Sequence, residues 1–299
     1  MSRCVKLFLL AIPAIFRMAN GAWAGDHDAW LSPEGAGMDF AVQGESSGDI
    51  QTEKGQLKLG IQVIANGDQT FRATAYHGGL PGDGWNREDV IYIYAAGIRG
   101  QAVTTLGAKP PEGAVVIFDG TSTDQLEDGA TMTESNLLEH GFMSRPRFGD
   151  YVLHLEFMLS YMPSARGQER SNSGLYVQGR FEIQILDSFG LSGEDYECGG
   201  MYSVAKPAVN MCFPPLSWQT YDVDFTAARF NDAGEKIAKS RVTVRHNGVI
   251  IHDDVEVSEA TPSNALPDGP EPGPVFIQDH GNPLRFRNIW GLETKPKDN

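Results

Sequence analysis

Alternation with a period of two runs through the second half of the chain. In Tyr151–Phe157 the large apolar residues Tyr151, Leu153, Leu155 and Phe157 fall on one side, and His154 and Glu156 on the other. The same split separates Leu175 and Val177 from Tyr176 and Gln178. It separates Phe181, Ile183 and Ile185 from Glu182 and Gln184, and Tyr221, Val223 and Phe225 from Asp222 and Asp224. Successive side chains of a strand point to opposite faces, so these segments predict strands that each bury one face. Arg241–Arg245 and Val249–His252 flank His246-Asn247-Gly248, a tight hairpin turn. Upstream, Leu57–Ala65, Gln69–Tyr76 and Val90–Ala95 read as strands, the first two joined by Asn66-Gly67-Asp68. Gly78–Trp85 is too glycine-rich for regular structure and reads as a loop, as does the proline- and acid-rich stretch from Asp254 to Pro274.

Many short strands separated by turns predict an all-β protein: a β-sandwich preceded by a small β-rich domain. Lys109-Pro110-Pro111-Glu112-Gly113 reads as a stiff linker between them. The divisions that follow are residues 1–24, 25–112, 113–294 and a tail at 295–299. The first begins with Arg3 and Lys6, continues through the apolar run Leu7–Phe16 and ends in Ala22-Trp23-Ala24, a small-x-small cleavage pattern. It is expected to be an export signal, with Gly25 starting a periplasmic or secreted chain.

The 34 glycines and 17 prolines of the 299 residues agree with a turn-rich architecture. The formal net charge of −15 argues against a nucleic acid or an anionic membrane surface as partner and suits a neutral ligand. No apolar run beyond the first division has the length of a membrane span. Cys198 and Cys212 would remain after processing, either joined as a disulfide or buried as free thiols, and no cysteine–histidine group has zinc-site spacing.

The polar strand faces carry the candidate chemistry. Carboxylates and long amides beside tyrosine can hydrogen-bond a hydroxyl-rich ligand while an aromatic ring stacks on it. Glu182, Asp187, His280 and Glu156 are the candidate acids and bases. Arg170, Asn172, Tyr176, Gln184, Trp218 and Asp279 are the candidate substrate-binding residues. In Phe181–Ser188 the side chains Glu182 and Gln184 share a face, and Asp187 joins them only across a β-bulge. The Glu-x-x-x-x-Asp spacing resembles the catalytic strand of laminarinase-type glucanases, with Gln184 in place of the helper aspartate and Asp187 shorter than the second glutamate. The loop Arg166–Gly174 feeds directly into the strand that follows it, and His280 stands between Asp279 and Gly281.

Several ordered blocks carry a wider resemblance. Val116-Ile-Phe-Asp-Gly-Thr121, Phe148–Phe157, Asn172–Ser188, Cys198–Tyr202, Pro214-Pro215, Trp218–Asp222, His246–Gly248, Gln278–Pro283 and Arg285–Trp290 follow one another as in the 3-keto-disaccharide hydrolase family. The resemblance covers roughly residues 114 to 293. It implies a concanavalin A-like jelly roll, an exported location and action on sugars oxidised to a ketone at carbon 3. It also implies that the first 112 residues hold an accessory part of the kind found in planctomycete-type relatives. The ketone acidifies the hydrogen on carbon 2, so proton abstraction, elimination of the anomeric substituent and hydration would cleave the glycoside. No cofactor is identified; Arg170 or a divalent metal is the candidate for stabilising the enolate. A lectin-like sugar-binding module and a retaining β-glucanase are the competing readings.

Overall fold

The computed structural model describes residues 29–52, 55–67, 71–85, 90–93 and 105–296. The proposed export signal lies outside them. A short helix, α1 (Gly37–Val42), precedes β1 (Gly44–Thr52), β2 (Gly55–Ala65), β3 (Phe71–His77) and β4 (Val90–Ile93). These four strands form an antiparallel meander in chain order. The strands β5 (Val115–Phe118), β6 (Phe142–Met143), β7 (Tyr151–Met158), β8 (Ser173–Val177), β9 (Phe181–Ile185) and β10 (Trp218–Thr226) follow. Then come a small hairpin of β11 (Arg229–Phe230) and β12 (Lys236–Ala238), and the strands β13 (Ser240–His246), β14 (Val249–Val257), β15 (Phe276–Ile277) and β16 (Arg285–Glu293).

These later strands build two sheets. The larger has the order β14-β13-β10-β7-β16-β5 and the smaller β6-β15-β8-β9. The apolar positions read from the alternation meet between them: Tyr151, Leu153, Leu155, Phe157, Tyr221, Val223 and Phe225 from the larger sheet, Leu175, Val177, Phe181, Ile183 and Ile185 from the smaller. This is a jelly-roll β-sandwich. Burying a large aliphatic or aromatic side chain contributes about 1.5–3 kcal/mol, and this one cluster holds most of the buried apolar residues among those described. The polar faces of both sheets are left pointing outward, on opposite sides of the molecule.

One boundary differs from the sequence reading. The strand after the Asn247 turn continues to Val257, because Arg241 spans the hairpin to Asp254 and Glu256 and carries the pairing past the acidic residues. Cys198 and Cys212 are free and buried. The Cys198 thiol lies 3.3 Å from the Tyr221 hydroxyl, and Cys212 faces the carbonyl oxygens of Leu186 and Phe213.

The first sheet docks on the loops at one end of the smaller sheet. Ile64 joins the sandwich core and lies against Gly190, where a Cβ would overlap its Cδ1. Arg72 Nη2 donates to the Gly190 carbonyl at 3.0 Å and Arg170 Nη2 to that of Ala65 at 3.4 Å. Among the described residues no helix is long and apolar enough to cross a membrane.

Candidate active site

The outward face of the smaller sheet carries a pocket of about 100 Å³. Register builds it: Gly174 stands opposite Gln184 and Tyr176 opposite Glu182 on the paired strands β8 and β9. Around them lie Gln168 and Asn172 from the loop before β8, Tyr202, Pro262 and Ser263 from two further loops, and Gln278 and His280 beyond β15. Gly174 is required here because a Cβ would overlap Glu182 Oε1 and come within 2.9 Å of its Cδ. The absent side chain is the space the carboxyl occupies.

Glu182 is only 3% exposed. Burial pushes its carboxyl up from 4.5 to about 7, against the opposing effect of the Tyr176 hydroxyl, which donates to Oε2 at 2.8 Å. The Tyr176 phenol is itself held well above its usual range by burial and by the adjacent Glu182, so it remains a donor. The Tyr176 oxygen also lies 2.9 Å from the Pro262 carbonyl. Gln184 Nε2 and Asn172 Nδ2 both donate to Gln168 Oε1 at 3.1 Å. Asn172 Oδ1 is buried without a hydrogen-bond partner among the described residues. A buried acceptor with nothing to accept from is costly unless a ligand supplies the donor. The site therefore offers one proton-exchanging group poised near neutrality, an unfilled acceptor and several amides, all on a rigid sheet.

The structure brings together Glu182, Tyr176, Gln184, Asn172 and His280 and separates the other candidates from them. The five β8–β9 pairs run without a register shift, and the chain turns at Leu186–Ser188, so the bulge expected to swing Asp187 beside Glu182 is absent. Asp187 instead accepts from Arg170 Nε at 2.6 Å, and both line a neighbouring pocket at the seam with the first sheet. Arg170 is therefore committed to a carboxylate and to Ala65 rather than to the Glu182 pocket. Glu182 is the one carboxylate among the described residues lining its pocket. Asp279 lies outside the lining, accepting from Gly281 N at 2.8 Å with His140 Nδ1 3.0 Å away.

Glu156 and Trp218 are on the opposite side of the molecule. Glu156 projects from the outer face of the larger sheet and accepts from Gly107 N at 2.6 Å, Arg287 Nε at 2.7 Å and Asn288 Nδ2 at 2.8 Å. Burial alone would raise its carboxyl, but these hydrogen bonds and the neighbouring His154 hold it down at about 2. Burial would likewise depress His154, yet Asp222 at 2.7 Å and Glu156 hold it above its usual range. The Arg287 guanidinium lies 3.9 Å over the Trp218 ring. Ala108 O accepts from Asn288 Nδ2 and Trp290 Nε1, so the linker straps across this face. Glu156 is saturated with donors and firmly ionised, which makes it a structural anchor rather than an acid or base.

Sequence reasoning missed Gln168, Tyr202, Pro262, Ser263 and Gln278 as site residues. Gln278 was within reach of parity, since Val275 and Ile277 are in the core and the residues between and after them must face outward. The segment around Pro262 had no period to read. It is pinned by Thr261, whose N–H donates to the Arg180 carbonyl and whose hydroxyl oxygen accepts from Glu182 N at 2.9 Å. Among the described residues no three His, Cys, Asp or Glu side chains are gathered as a metal ion would need. The residues therefore do not fit the divalent metal considered above, and no step is routed through one.

Residues 104–291 match the family model described as a 3-keto-alpha-glucoside-1,2-lyase-like domain. A crystal structure of a candidate glycosyl hydrolase from Parabacteroides distasonis ATCC 8503, at 2.13 Å resolution, is similar at 26% identity and TM-score 0.55, covering 62% of this chain and 85% of its own. A second candidate glycosyl hydrolase from that organism has 17% identity and TM-score 0.42 over 62% of this chain and 95% of its own. No curated protein matches the chain.

Proposed function

Because the chain belongs to the 3-keto-alpha-glucoside-1,2-lyase-like domain family, we propose that it is a carbohydrate-active enzyme that cleaves 3-keto-glycosides at the Glu182 pocket. The observation that carries this reading is Glu182 itself, a buried carboxyl held near neutrality in a pocket with no second carboxylate among the described residues. A retaining glucanase needs two facing carboxyls about 5–5.5 Å apart, and this pocket supplies one. Abstracting a proton next to a ketone needs one base whose pKa lies near the working pH, which Glu182 provides.

In the proposed sequence Glu182 takes the proton from carbon 2, and the electron pair moves onto the ketone oxygen as an enolate. The amide of Gln278 offers a donor to that oxygen. The enolate collapses, the bond from carbon 1 to the leaving oxygen breaks, and His280 at the pocket wall supplies the proton that oxygen needs. Water then adds to carbon 1, giving up a proton to His280, while the proton held by Glu182 returns to carbon 2, so hydrolysis is completed without net redox change and both groups are restored. Tyr176 orients the carboxyl, and Asn172 Oδ1 accepts from a sugar hydroxyl. The basic, apolar and small-x-small succession of residues 1–24 supports export of the enzyme.

Glu182→Gln tests the assignment. It keeps shape and hydrogen bonding but cannot take the proton, so turnover of a 3-keto-glycoside should fall about 100- to 10,000-fold while binding survives. The parent enzyme should also wash deuterium from solvent into carbon 2. Full activity of the variant removes Glu182 from the mechanism, and cleavage without any exchange at carbon 2 removes the elimination route.

A further inference from the structure

We propose that the N-terminal sheet, which lies outside the family-matched residues, completes the substrate cleft and holds the sugar on the leaving-group side of the bond. This inference rests on the Glu182 pocket being where the keto sugar reacts.

Two pockets, of about 200 and 250 Å³, lie along the seam between that sheet and the sandwich. Both are bordered by Arg72, Leu191 and Glu197, so they are two chambers of one cleft. The nearer chamber meets the Glu182 pocket at Gln168, which lines both. Gln168 is fixed as that partition: its Oε1 accepts from Asn172 and Gln184, and its Nε2 donates to the Tyr196 carbonyl at 2.9 Å.

The cleft is built for a polyol. Thr74, only 2% exposed, lines the far chamber with its hydroxyl unpartnered among the described residues. Arg72 Nε is likewise buried without a partner, although Nη2 is anchored on Gly190. Trp85 forms an aromatic wall of the same chamber, its ring 5.0 Å from that of Tyr76 at a steep angle. A free hydroxyl and a free guanidinium N–H beside an aromatic wall match the alternating hydroxyls and apolar ring face of a sugar. The acids of the nearer chamber are already engaged. Asp187 is held by Arg170, and Glu197 accepts from the N–H groups of Gly193 and Glu194. Arg72 thus keeps a charged donor with capacity for a ligand oxygen.

The test compares a 3-keto-disaccharide with the methyl glycoside of the same keto sugar, which has no second ring to place in the seam. Thr74→Val is nearly isosteric and removes an unsatisfied hydroxyl, so its thermal midpoint should match or exceed that of the parent. Losing one neutral hydrogen bond corresponds to about 3- to 10-fold in affinity. The ratio of kcat/KM for disaccharide over methyl glycoside should fall by that factor, and Arg72→Lys should lower it as well. An unchanged ratio in both variants overturns the proposal. Calorimetric binding of the disaccharide to the parent and to Thr74→Val gives a readout independent of turnover. Should neither substrate be turned over, the Glu182 reading fails alone, and the seam still stands or falls on whether Thr74→Val weakens that binding.

Discussion

One missing methyl group and one buried proton decide the chemistry of the Glu182 pocket. The carboxyl ionises near 4.5 when exposed and near 7 in the fold, because burial disfavours its charged form. Between those values the folded protein holds a proton that the unfolded chain has released. Stability must therefore fall as the pH rises from about 4.5 to 7, by about 3 kcal/mol in all, and level off beyond. Glu182→Gln removes that slope. Denaturant unfolding should find it more stable than the parent at pH 8 and about equal at pH 4, a result opposite in sign to its loss of activity. The parent's kcat/KM should rise through about pH 7 as the base form appears. The methyl group is the one Gly174 lacks. Gly174→Ala should leave the sandwich folded but displace the carboxyl, and misplacing a reacting group by about 1 Å lowers turnover on the order of 100-fold. Circular dichroism beside a rate measurement separates the two effects.

Strands were the legible part of this sequence, because parity alone assigns each side chain to a face. It placed Phe181, Ile183 and Ile185 inside and Glu182 and Gln184 outside, as the sandwich has them. Parity is silent on which outward face belongs to which sheet. Glu156 and Glu182 have the same local pattern and sit on opposite sides of the molecule, since β7 and β9 pair into different sheets. Asp187 shows the other limit: one residue decides whether a strand bulges or stops, and no spacing records that choice. On β7 the consequence of Glu156 being an anchor is measurable. Glu156→Ala leaves the partly exposed Arg287 without its carboxylate while His154 keeps Asp222, and losing hydrogen bonds to a charged group costs about 1.5–3 kcal/mol, to be read as a lowered denaturation midpoint. The depressed carboxyl contributes above about pH 4.5, and that contribution is lost as the pH falls through about 2, so the variant's deficit should shrink in acid.

At the scale of the whole molecule, the two outward sheet faces differ: one holds the Glu182 pocket, and the other is strapped through Gly107 and Ala108 beside a second pocket lined by Glu156, Arg287 and Asn288. Three strands of the first sheet were readable and β1 was not, and the sheet's bearing on the site was hidden because Arg72, Thr74 and Trp85 acquire meaning only where they meet residues more than a hundred positions away. The export proposal makes its own prediction: N-terminal sequencing of protein recovered outside the cytoplasm should read from Gly25, and an intact Met1 would refute it. The strand order carries a further consequence for how the molecule is made. The opening strand of the larger sheet, β5, pairs only with β16, which also fills the place beside β7. A ribosome adding about 5–20 residues per second needs on the order of ten seconds to pass from Phe118 to Arg285. From the synthesis of β7 until β16 emerges, the edge of β7 that β16 fills stays open, so the larger sheet is completed only when its last strand has been made.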